Sequence, residues 1–190
     1  MSYYSTNELI DQGFKKLGKN VLISKKASFY GIGNIEIGDN SRIDDFVVLS
    51  AGVGGIIIGN NVHVAVYSSM IGAGKIIIGD YSNVSSRVSI YSSNDDYSGE
   101  FMTNPTVSTE YTGVNSDKIT VGQHVIIGCG CVILPGIIIN DGVAIGALSL
   151  VKYDCDEFTI YSGNPAKKIK LRSRALLQKA DDFLSSQLKK

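Results

Sequence analysis

The sequence predicts an all-β solenoid, a parallel β-helix with a short α-helix at each end and one long loop. Three features indicate this fold class: an apolar six-residue repeat, an Ile-Gly-Asp or Ile-Gly-Asn signature that recurs upstream of it, and a polar interruption at 94–118. We expect the 190 residues to form a single domain, with an N-terminal helix over 1–18, the β-helix over 19–165 and a C-terminal helix over 166–190.

The six-residue repeat is clearest between residues 121 and 151. When this segment is divided into groups of six, the first position is always a branched aliphatic residue: Val121, Ile127, Ile133, Ile139, Ile145 and Val151. A period of six matches neither the 3.6-residue period of an α-helix nor the two-residue period of a simple strand. It is expected when each group forms a short strand and a corner, and when three groups complete one triangular coil around an apolar core.

The same pattern begins earlier in the chain. Ile-Gly followed by Asp or Asn starts at Ile37, Ile58 and Ile78, with spacings of 21 and 20 residues. These spacings slightly exceed three groups of six, and the extra residues include several glycines, as expected for loops. The glycine after the apolar residue is expected because the corner is tight.

Two flanking segments have helical spacing instead. Ser5 and Glu8 form the pattern of a capping box that opens a short helix over 5–17. Its partial apolar face would consist of Leu9, Ile10, Phe14 and Leu17. Near the C-terminus, the residues at helical spacing are Leu171, Ala175, Leu176, Ala180, Phe183, Leu184 and Leu188. We expect both helices to have a structural role.

The composition narrows the class of protein. Eighteen basic residues balance eighteen acidic ones, which argues against nucleic acid or an anionic membrane as the main partner, because both attract basic surfaces. No apolar run approaches the ~18 residues of a membrane span, and the polar N-terminus does not read as a signal peptide. The cysteines Cys129, Cys131 and Cys155 are too few for a disulfide framework, so a cytoplasmic location is expected.

The interruption from Asn94 to Lys118 is a candidate functional segment. Its 25 residues are polar and aromatic, and they include the adjacent carboxylates of Asp95 and Asp96, followed by Tyr97. A long loop without regular structure in a compact fold usually carries function. The alternative is a loop that only covers an edge of the solenoid.

The second half of the repeat resembles the hexapeptide-repeat acyltransferases, a superfamily with a left-handed parallel β-helix. The resemblance rests on Ile127-Gly-Cys-Gly-Cys-Val-Ile-Leu-Pro-Gly136 and on Tyr161-Ser-Gly-Asn-Pro-Ala-Lys167, and it covers roughly residues 20 to 170. The long loop makes the chain similar to sugar acetyltransferases of the galactoside, maltose and O-antigen types. Among these it most resembles the N-acetyltransferases of nucleotide-linked amino sugars, such as perosamine N-acetyltransferase.

This resemblance implies an assembly and a donor. The assembly is a homotrimer with active sites between subunits, and the donor is acetyl-CoA, with no metal. By the resemblance, Cys129 and Ala147 contact the pantetheine arm of CoA, while Lys152, Lys167 and Lys168 meet its phosphates, a role that suits the point charge of lysine. For the basic run at 167–170, a solvated turn is the alternative.

The resemblance also places the acceptor, a sugar or nucleotide sugar, at the loop. An alignment without gaps puts Asp95 where many relatives carry a histidine that serves as general base, with Asn94, Asp96 and Tyr97 expected to contact the substrate. The chain has only two histidines, His63 and His124, and neither lies in the loop.

Three interpretations of the proton acceptor stay open. Asp95 takes the role of base, or His63 reaches the site, with Ala65 and Tyr67 beside it as substrate contacts. Alternatively no strong base is needed, because a neutral sugar amine is a better nucleophile than a hydroxyl. We favour an amine acceptor with Asp95 taking the proton.

The favoured function is therefore N-acetylation of a nucleotide-linked deoxyamino sugar in O-antigen or surface polysaccharide synthesis, by direct attack on the thioester. The nearest alternative is O-acetylation of a sugar hydroxyl, which the missing loop histidine disfavours. A non-catalytic β-helix that binds a ligand is another alternative, and the intact motifs argue against it. A zinc site of the β-helix carbonic anhydrase type needs three histidines, and the chain has two.

Overall fold

The computed structural model describes residues 2–187 and is a parallel β-solenoid with three faces. Its helices are α1 (Thr6–Ile10) and α2 (Leu176–Gln187), with short 3-10 helices at Ile32–Asn34 and Thr109–Tyr111. In chain order the strands are β1 (Lys16–Leu17), β2 (Leu22–Ile23), β3 (Ser28–Tyr30), β4 (Ile35–Ile37), β5 (Arg42–Ile43), β6 (Val48–Ala51), β7 (Ile56–Ile58), β8 (His63–Val64), β9 (Ser69–Gly72), β10 (Ile76–Ile78), β11 (Asn83–Val84), β12 (Ser89–Tyr91), β13 (Ser93–Asn94), β14 (Asn115–Ser116), β15 (Ile119–Val121), β16 (Ile126–Ile127), β17 (Val132–Ile133), β18 (Ile138–Ile139), β19 (Ala144–Ile145), β20 (Leu150–Val151), β21 (Thr159–Ser162) and β22 (Lys167–Leu171).

Successive strands lie on successive faces, so that each coil adds one strand to each of three sheets. The first sheet has the order β1-β4-β7-β10-β15-β18, the second β2-β5-β8-β11-β16-β19-β21-β22, and the third β3-β6-β9-β12-β17-β20. We call the turn between the first and second sheets the first corner. The turn between the second and third sheets is the second corner, and the turn from the third back to the first is the third corner.

Equivalent apolar residues of successive coils stack inside the solenoid. On the first sheet Ile58 pairs in register with Ile37 on one side and with Ile78 on the other, and all three are buried. Burying such a side chain contributes about 1.5–3 kcal/mol. The predicted six-residue repeat therefore marks the core positions, as the buried Val121, Ile127, Ile133, Ile139, Ile145 and Val151 confirm.

The glycine that follows the core residue is required by the spacing between coils. A Cβ atom at Gly38 would lie 2.6 Å from the carbonyl carbon of Gly59, and one at Gly79 would lie 2.5 Å from that of Gly122. The close neighbour is thus the backbone of the next coil. This explains why the Ile-Gly signature recurs in three successive coils, at Ile37, Ile58 and Ile78.

The N-terminal helix is shorter than the predicted 1–18. The capping box is present, because the Ser5 N–H donates to Glu8 Oε2 at 2.7 Å and the Glu8 N–H donates to Ser5 Oγ at 3.4 Å. The helix nevertheless ends at Ile10, and the solenoid begins at Lys16 rather than at 19. The predicted apolar face was wrong at its C-terminal end, because Phe14 packs edge-on against Phe29, with ring centroids 5.1 Å apart.

The C-terminal prediction of a helix over 166–190 also needs correction. Residues Lys167–Leu171 form β22, which pairs antiparallel with β21 and extends the second sheet. The helix begins only at Leu176, and the predicted apolar position Leu188 lies outside the described residues. Before the helix, Arg172 Nη1 donates hydrogen bonds of 2.9 Å to the carbonyls of His124 and Gly142, which fixes this segment at the first corner.

Helix α2 packs on aromatic side chains of the first corner. The Tyr81 ring stacks on the His124 ring, with centroids 5.0 Å apart, and Phe183 of α2 meets Tyr81 edge-on. This contact gives His124 a packing role. Within residues 2–187, no helix combines the length and the apolarity needed to cross a bilayer.

Candidate active site

The long loop leaves the solenoid at the third corner. Strands β13 and β14 pair antiparallel at its base, with Ser93 opposite Ser116 and Asn94 opposite Asn115. This two-stranded stem holds the residues that follow Asn94 against the outer surface of the third sheet. The predicted interruption of the repeat is therefore an ordered excursion from one corner.

An open cleft of about 420 Å³ lies beside this stem. Its lining joins loop residues to the third sheet: Tyr91, Ser93, Asn94, Asp95, Tyr97, Val132 and Leu134. Asp95 is half-buried, and its carboxylate has no hydrogen-bond or ion-pair partner within residues 2–187. The cleft thus combines an available carboxylate with tyrosine rings and an aliphatic wall.

Asp96 does not line the cleft, although it was predicted to contact the substrate. Its carboxylate accepts hydrogen bonds from the backbone N–H groups of Ser98 at 3.1 Å, Gly99 at 2.8 Å and Phe101 at 3.3 Å. The Ser98 hydroxyl donates a further bond of 2.8 Å. The bonds from Ser98 and the two other amides lower the pKa of Asp96 to about 2. The two adjacent carboxylates therefore differ in role. Asp96 accepts hydrogen bonds that hold the loop together, whereas Asp95 is free to contact a ligand in the cleft.

His63 lies on the outer surface of the second sheet, away from this cleft. Its Nε2 is 2.9 Å from Asp44 Oδ2, and its Nδ1 is 2.9 Å from Asn83 Oδ1. Asp44 and Asn83 thus hold the imidazole ring in place on the second sheet. Within one chain, His63 and Asp95 are therefore not brought together.

Asp44 is a residue that the sequence reasoning missed. Its carboxylate is buried and also accepts a hydrogen bond of 2.7 Å from Arg42 Nε, which raises the pKa of the Arg42 guanidinium. The signal in the sequence was a charged residue directly after the core residue Ile43, where the next coils carry the small residues Ala65, Ser85 and Gly128. Asp44 holds Arg42 and His63 side by side on this face.

Ala65 and Tyr67 lie at the second corner. Ala65 is buried, whereas Tyr67 is exposed and its ring stacks on that of Phe46, with centroids 4.9 Å apart and planes 10° apart. The structure therefore places these two predicted substrate contacts one sheet away from the cleft at Asp95.

Cys129 and Ala147 also lie at the second corner, one coil apart. Both are exposed, and the Leu148 N–H donates to the Cys129 carbonyl at 2.8 Å. Their own backbone N–H groups donate no hydrogen bond within the described part of the chain. Two free amides on a narrow corner can bind an extended ligand that carries carbonyl groups.

The three predicted phosphate-binding lysines are divided between two places. Lys167 and Lys168 begin β22 at the end of the second sheet, where Lys167 lies opposite Ser162. Lys168 pairs with Asp156 at 3.2 Å. Lys152 follows β20 at the third corner, with its Nζ 5.3 Å from the centre of the Tyr153 ring. Lys167 is thus the lysine that continues the strip formed by Cys129 and Ala147.

The two remaining cysteines are buried. Burial raises the pKa of the Cys155 thiol to about 12 and also raises the pKa of the Cys131 thiol. Because the thiolate is the reactive form, neither side chain is suited to act as a nucleophile.

No protein-family model matches the chain. The chain is 56% identical over 186 residues to the dTDP-4-amino-4,6-dideoxy-D-glucose acyltransferase of Escherichia coli, with 98% of this chain and 97% of that enzyme covered. AntD, an N-acyltransferase from Bacillus cereus solved in complex with dTDP and 3-hydroxybutyryl-CoA, is 44% identical with a TM-score of 0.94, and 98% of each chain is covered.

A more distant structure shows the fold alone. Galactoside acetyltransferase in complex with coenzyme A is 22% identical, with a TM-score of 0.60 over 89% of this chain and 70% of that chain. Fold and relatives together define the class of this protein as a left-handed β-helix acyltransferase. More particularly, the chain belongs to the family of the E. coli dTDP-4-amino-4,6-dideoxy-D-glucose acyltransferase, as the identity along almost its whole length shows.

Proposed function

We propose that this enzyme transfers an acetyl group from acetyl-CoA to the amino group of a dTDP-linked 4-amino-4,6-dideoxy sugar. The observation that carries the proposal is the available Asp95 carboxylate in the cleft beside the loop, in a chain 56% identical to an acyltransferase of that sugar nucleotide. A carboxylate attracts the ammonium form of an amine and has no such attraction for a hydroxyl group.

The chemistry needs two proton transfers and one acyl transfer. The acceptor arrives partly as ammonium, is held by Asp95, and loses a proton to this carboxylate or to water. The neutral nitrogen attacks the carbonyl carbon of the thioester, so that a C–N bond forms and the C–S bond breaks. The nitrogen then gives up its second proton, and the released thiolate takes up one proton, which gives an amide and free CoA.

The identity of the acyl donor is the part of this proposal that has an alternative. One AntD structure holds 3-hydroxybutyryl-CoA, so a longer acyl chain is accommodated in a protein of the same family. Transfer from acetyl-CoA and from 3-hydroxybutyryl-CoA should therefore be compared at equal concentrations. We expect the higher kcat/KM with acetyl-CoA.

The donor is proposed to lie along the second corner. Its pantetheine arm would meet the free backbone amides of Cys129 and Ala147, and Lys167 would reach a phosphate. The width of the third sheet separates this corner from Asp95 at the third corner. A second copy of the chain is therefore needed to complete the site, and we propose the homotrimer predicted from the sequence.

Light scattering tests this assembly, and a particle with the 20.4 kDa mass of one chain would contradict it. The predictions that nucleic acid is not a partner and that the protein is cytoplasmic stay predictions.

A spacing in AntD supports the role of Asp95. AntD has been solved with an aspartate replaced, and also with a serine ten positions earlier replaced, in complexes with dTDP or its amino sugar. Ser85 and Asp95 have the same separation here. Ser85 lies at the second corner, where its N–H donates to the Ile127 carbonyl at 2.9 Å, one coil before Cys129.

The test is an acceptor panel with thiol release as the readout. We expect transfer to dTDP-4-amino-4,6-dideoxyglucose and negligible transfer to the matching sugar with a 4-hydroxyl group. Asp95→Asn should lower kcat by about 10²- to 10⁴-fold, the usual contribution of a positioned base. Asp117→Asn, an exposed carboxylate at the other end of the loop, is the matched control.

His63→Ala tests the competing base. If Asp95→Asn kept full activity while His63→Ala were inactive, His63 and not Asp95 would be the base. A preference for hydroxyl acceptors would overturn the amine proposal itself.

A further inference from the structure

The second corner carries a row of residues that share one backbone conformation but differ in their side chains. The row consists of Phe46, Tyr67, Arg87, Gly130 and Leu148, one from each successive coil. Each has a left-handed backbone, with φ of 60°, 61°, 61°, 70° and 60° in that order. At the first corner the equivalent left-handed positions are Asn20, Asn40 and Asn61, a residue type that tolerates this conformation, followed by Tyr81 and His124, whose stacked rings pack against α2.

The aromatic residues of this row are unexpected on energetic grounds. A bulky side chain in the left-handed region costs of order 1–3 kcal/mol. Burial offsets little of this cost, because Phe46 is 44% exposed and Tyr67 is 55% exposed. Their mutual stacking recovers only about 0.5–1.5 kcal/mol. Unlike the stacked pair of Tyr81 and His124, which packs against Phe183 of α2, these two rings stay exposed within residues 2–187.

Positive charges flank the stacked pair. Lys26 Nζ lies 5.3 Å from the centre of the Phe46 ring and also pairs with Asp45 at 3.3 Å. On the other side, Arg87 occupies the next position of the row. Its guanidinium is exposed and has no hydrogen-bond or ion-pair partner among residues 2–187.

We propose that Phe46, Tyr67 and Arg87 form the binding platform for the nucleoside diphosphate of the acceptor. The base stacks on the face of Tyr67 that is turned away from Phe46, and the Arg87 guanidinium binds the diphosphate through parallel N–H···O bonds. This inference rests on the proposed function, because it assigns the nucleotide half of the same acceptor.

The position of the platform along the corner separates it from the donor. Cys129, Ala147 and Lys167, proposed for CoA, belong to coils on the C-terminal side of Arg87. Phe46 and Tyr67 belong to coils on its N-terminal side. The acceptor nucleotide and the donor nucleotide thus occupy opposite ends of one corner, and the reacting groups meet between them.

Fluorescence can test the stacking directly, because the chain contains no tryptophan. Tyr67→Trp keeps an aromatic ring on the platform and introduces a single reporter. We expect saturable quenching by dTDP and none by inorganic pyrophosphate. Quenching by CoA in place of dTDP would assign the platform to the donor and overturn the inference.

Binding of dTDP to two further variants tests the two halves of the platform. Tyr67→Asn keeps a residue suited to the left-handed backbone and should weaken dTDP binding about 5- to 150-fold, the value of one lost base stack. Arg87→Ala should weaken dTDP binding and leave thymidine binding unchanged. Tyr30→Asn, an exposed tyrosine of β3 outside the row, is the control and should bind dTDP normally.

Two outcomes would overturn the inference while leaving the proposed function intact. One is acyl transfer to the amino sugar nucleotide with an unchanged KM for the acceptor in Tyr67→Asn. The other is a Tyr67→Asn variant that gives a smaller particle in light scattering and binds dTDP with unaltered affinity. This result would show that the row forms a contact between copies of the chain. If the wild type binds neither dTDP nor its amino sugar, the proposed function fails first.

Discussion

Replacing Asp44 with asparagine removes a buried negative charge between two groups on the outer face of the second sheet. The Asp44 side chain is 5% exposed, and its two oxygens lie 2.7 Å from Arg42 Nε and 2.9 Å from His63 Nε2. Asparagine has the same shape but only one acceptor oxygen. Its NH₂ group therefore faces either the Arg42 donor or the His63 ring.

The size of the effect follows from these contacts. A hydrogen bond to a charged group contributes about 1.5–3 kcal/mol net of water. Arg42 and His63 have side chains that are 43% and 39% exposed, so solvent screening favours the lower part of this range. With one of two bonds lost, we expect Asp44→Asn to lower the free energy of unfolding by about 1.5–2.5 kcal/mol.

Urea unfolding followed by circular dichroism, at one fixed protein concentration, measures this loss. Asp11→Asn, an exposed carboxylate at the end of α1, is the control and should change stability by less than about 0.5 kcal/mol. In a double-mutant cycle, Asp44→Asn and His63→Ala should be coupled by more than about 0.5 kcal/mol. An unchanged urea midpoint for Asp44→Asn would refute the argument that this carboxylate holds both side chains.

Two further predictions concern the donor groove and the loop. Ala147→Leu should weaken CoA binding about 5- to 150-fold in calorimetry, because the larger side chain fills the narrow second corner, while the unfolding transition stays within error of the wild type; equal affinity would show that the groove lies elsewhere. Asp96 has a pKa lowered to about 2 from the usual aspartate value of 3.8, so its hydrogen bonds from the Ser98 and Gly99 amides should be complete above pH 4 and lost as the pH falls through 2. An NMR titration of these amides with a midpoint near 4 would contradict this.

The sequence predicted the solenoid well because its core has a strict period. Most coils place an apolar residue in the core and follow it with a glycine that contacts the backbone of the next coil. The roles of residues such as Ile58 and Gly59 can therefore be predicted from their position in the repeat. The ends were predicted less well. Phe14 and Leu171 have helical spacing but do not lie in helices. Phe14 packs on the apolar layer at one end of the solenoid, and the segment of Leu171 pairs with the free strand edge at the other end.

The site could be predicted only in part. Asp95 was predicted because a motif of the loop aligns without gaps; the structure places it in a cleft, and its role as the base stays a prediction. Asp96 has the same residue type one position later, but its hydrogen bonds to three backbone amides depend on how the loop folds back. Asp44 and the stack of Phe46 on Tyr67 involve residues about 20 positions apart, and only the coil register brings such residues together.

The construction of the solenoid indicates where its function must be encoded. Inward positions of every strand are committed to the stacked core, and each glycine after them is fixed by the neighbouring backbone. Only the outer faces, the corners and the loop are free to vary. At the first corner the left-handed positions change from Asn20, Asn40 and Asn61 to Tyr81 and His124, and at the second corner they change from phenylalanine to tyrosine to arginine. The aromatic pair of the first corner packs against Phe183 of α2, whereas Phe46 and Tyr67 are left exposed, and this is why the second corner is where we expect both nucleotides to bind.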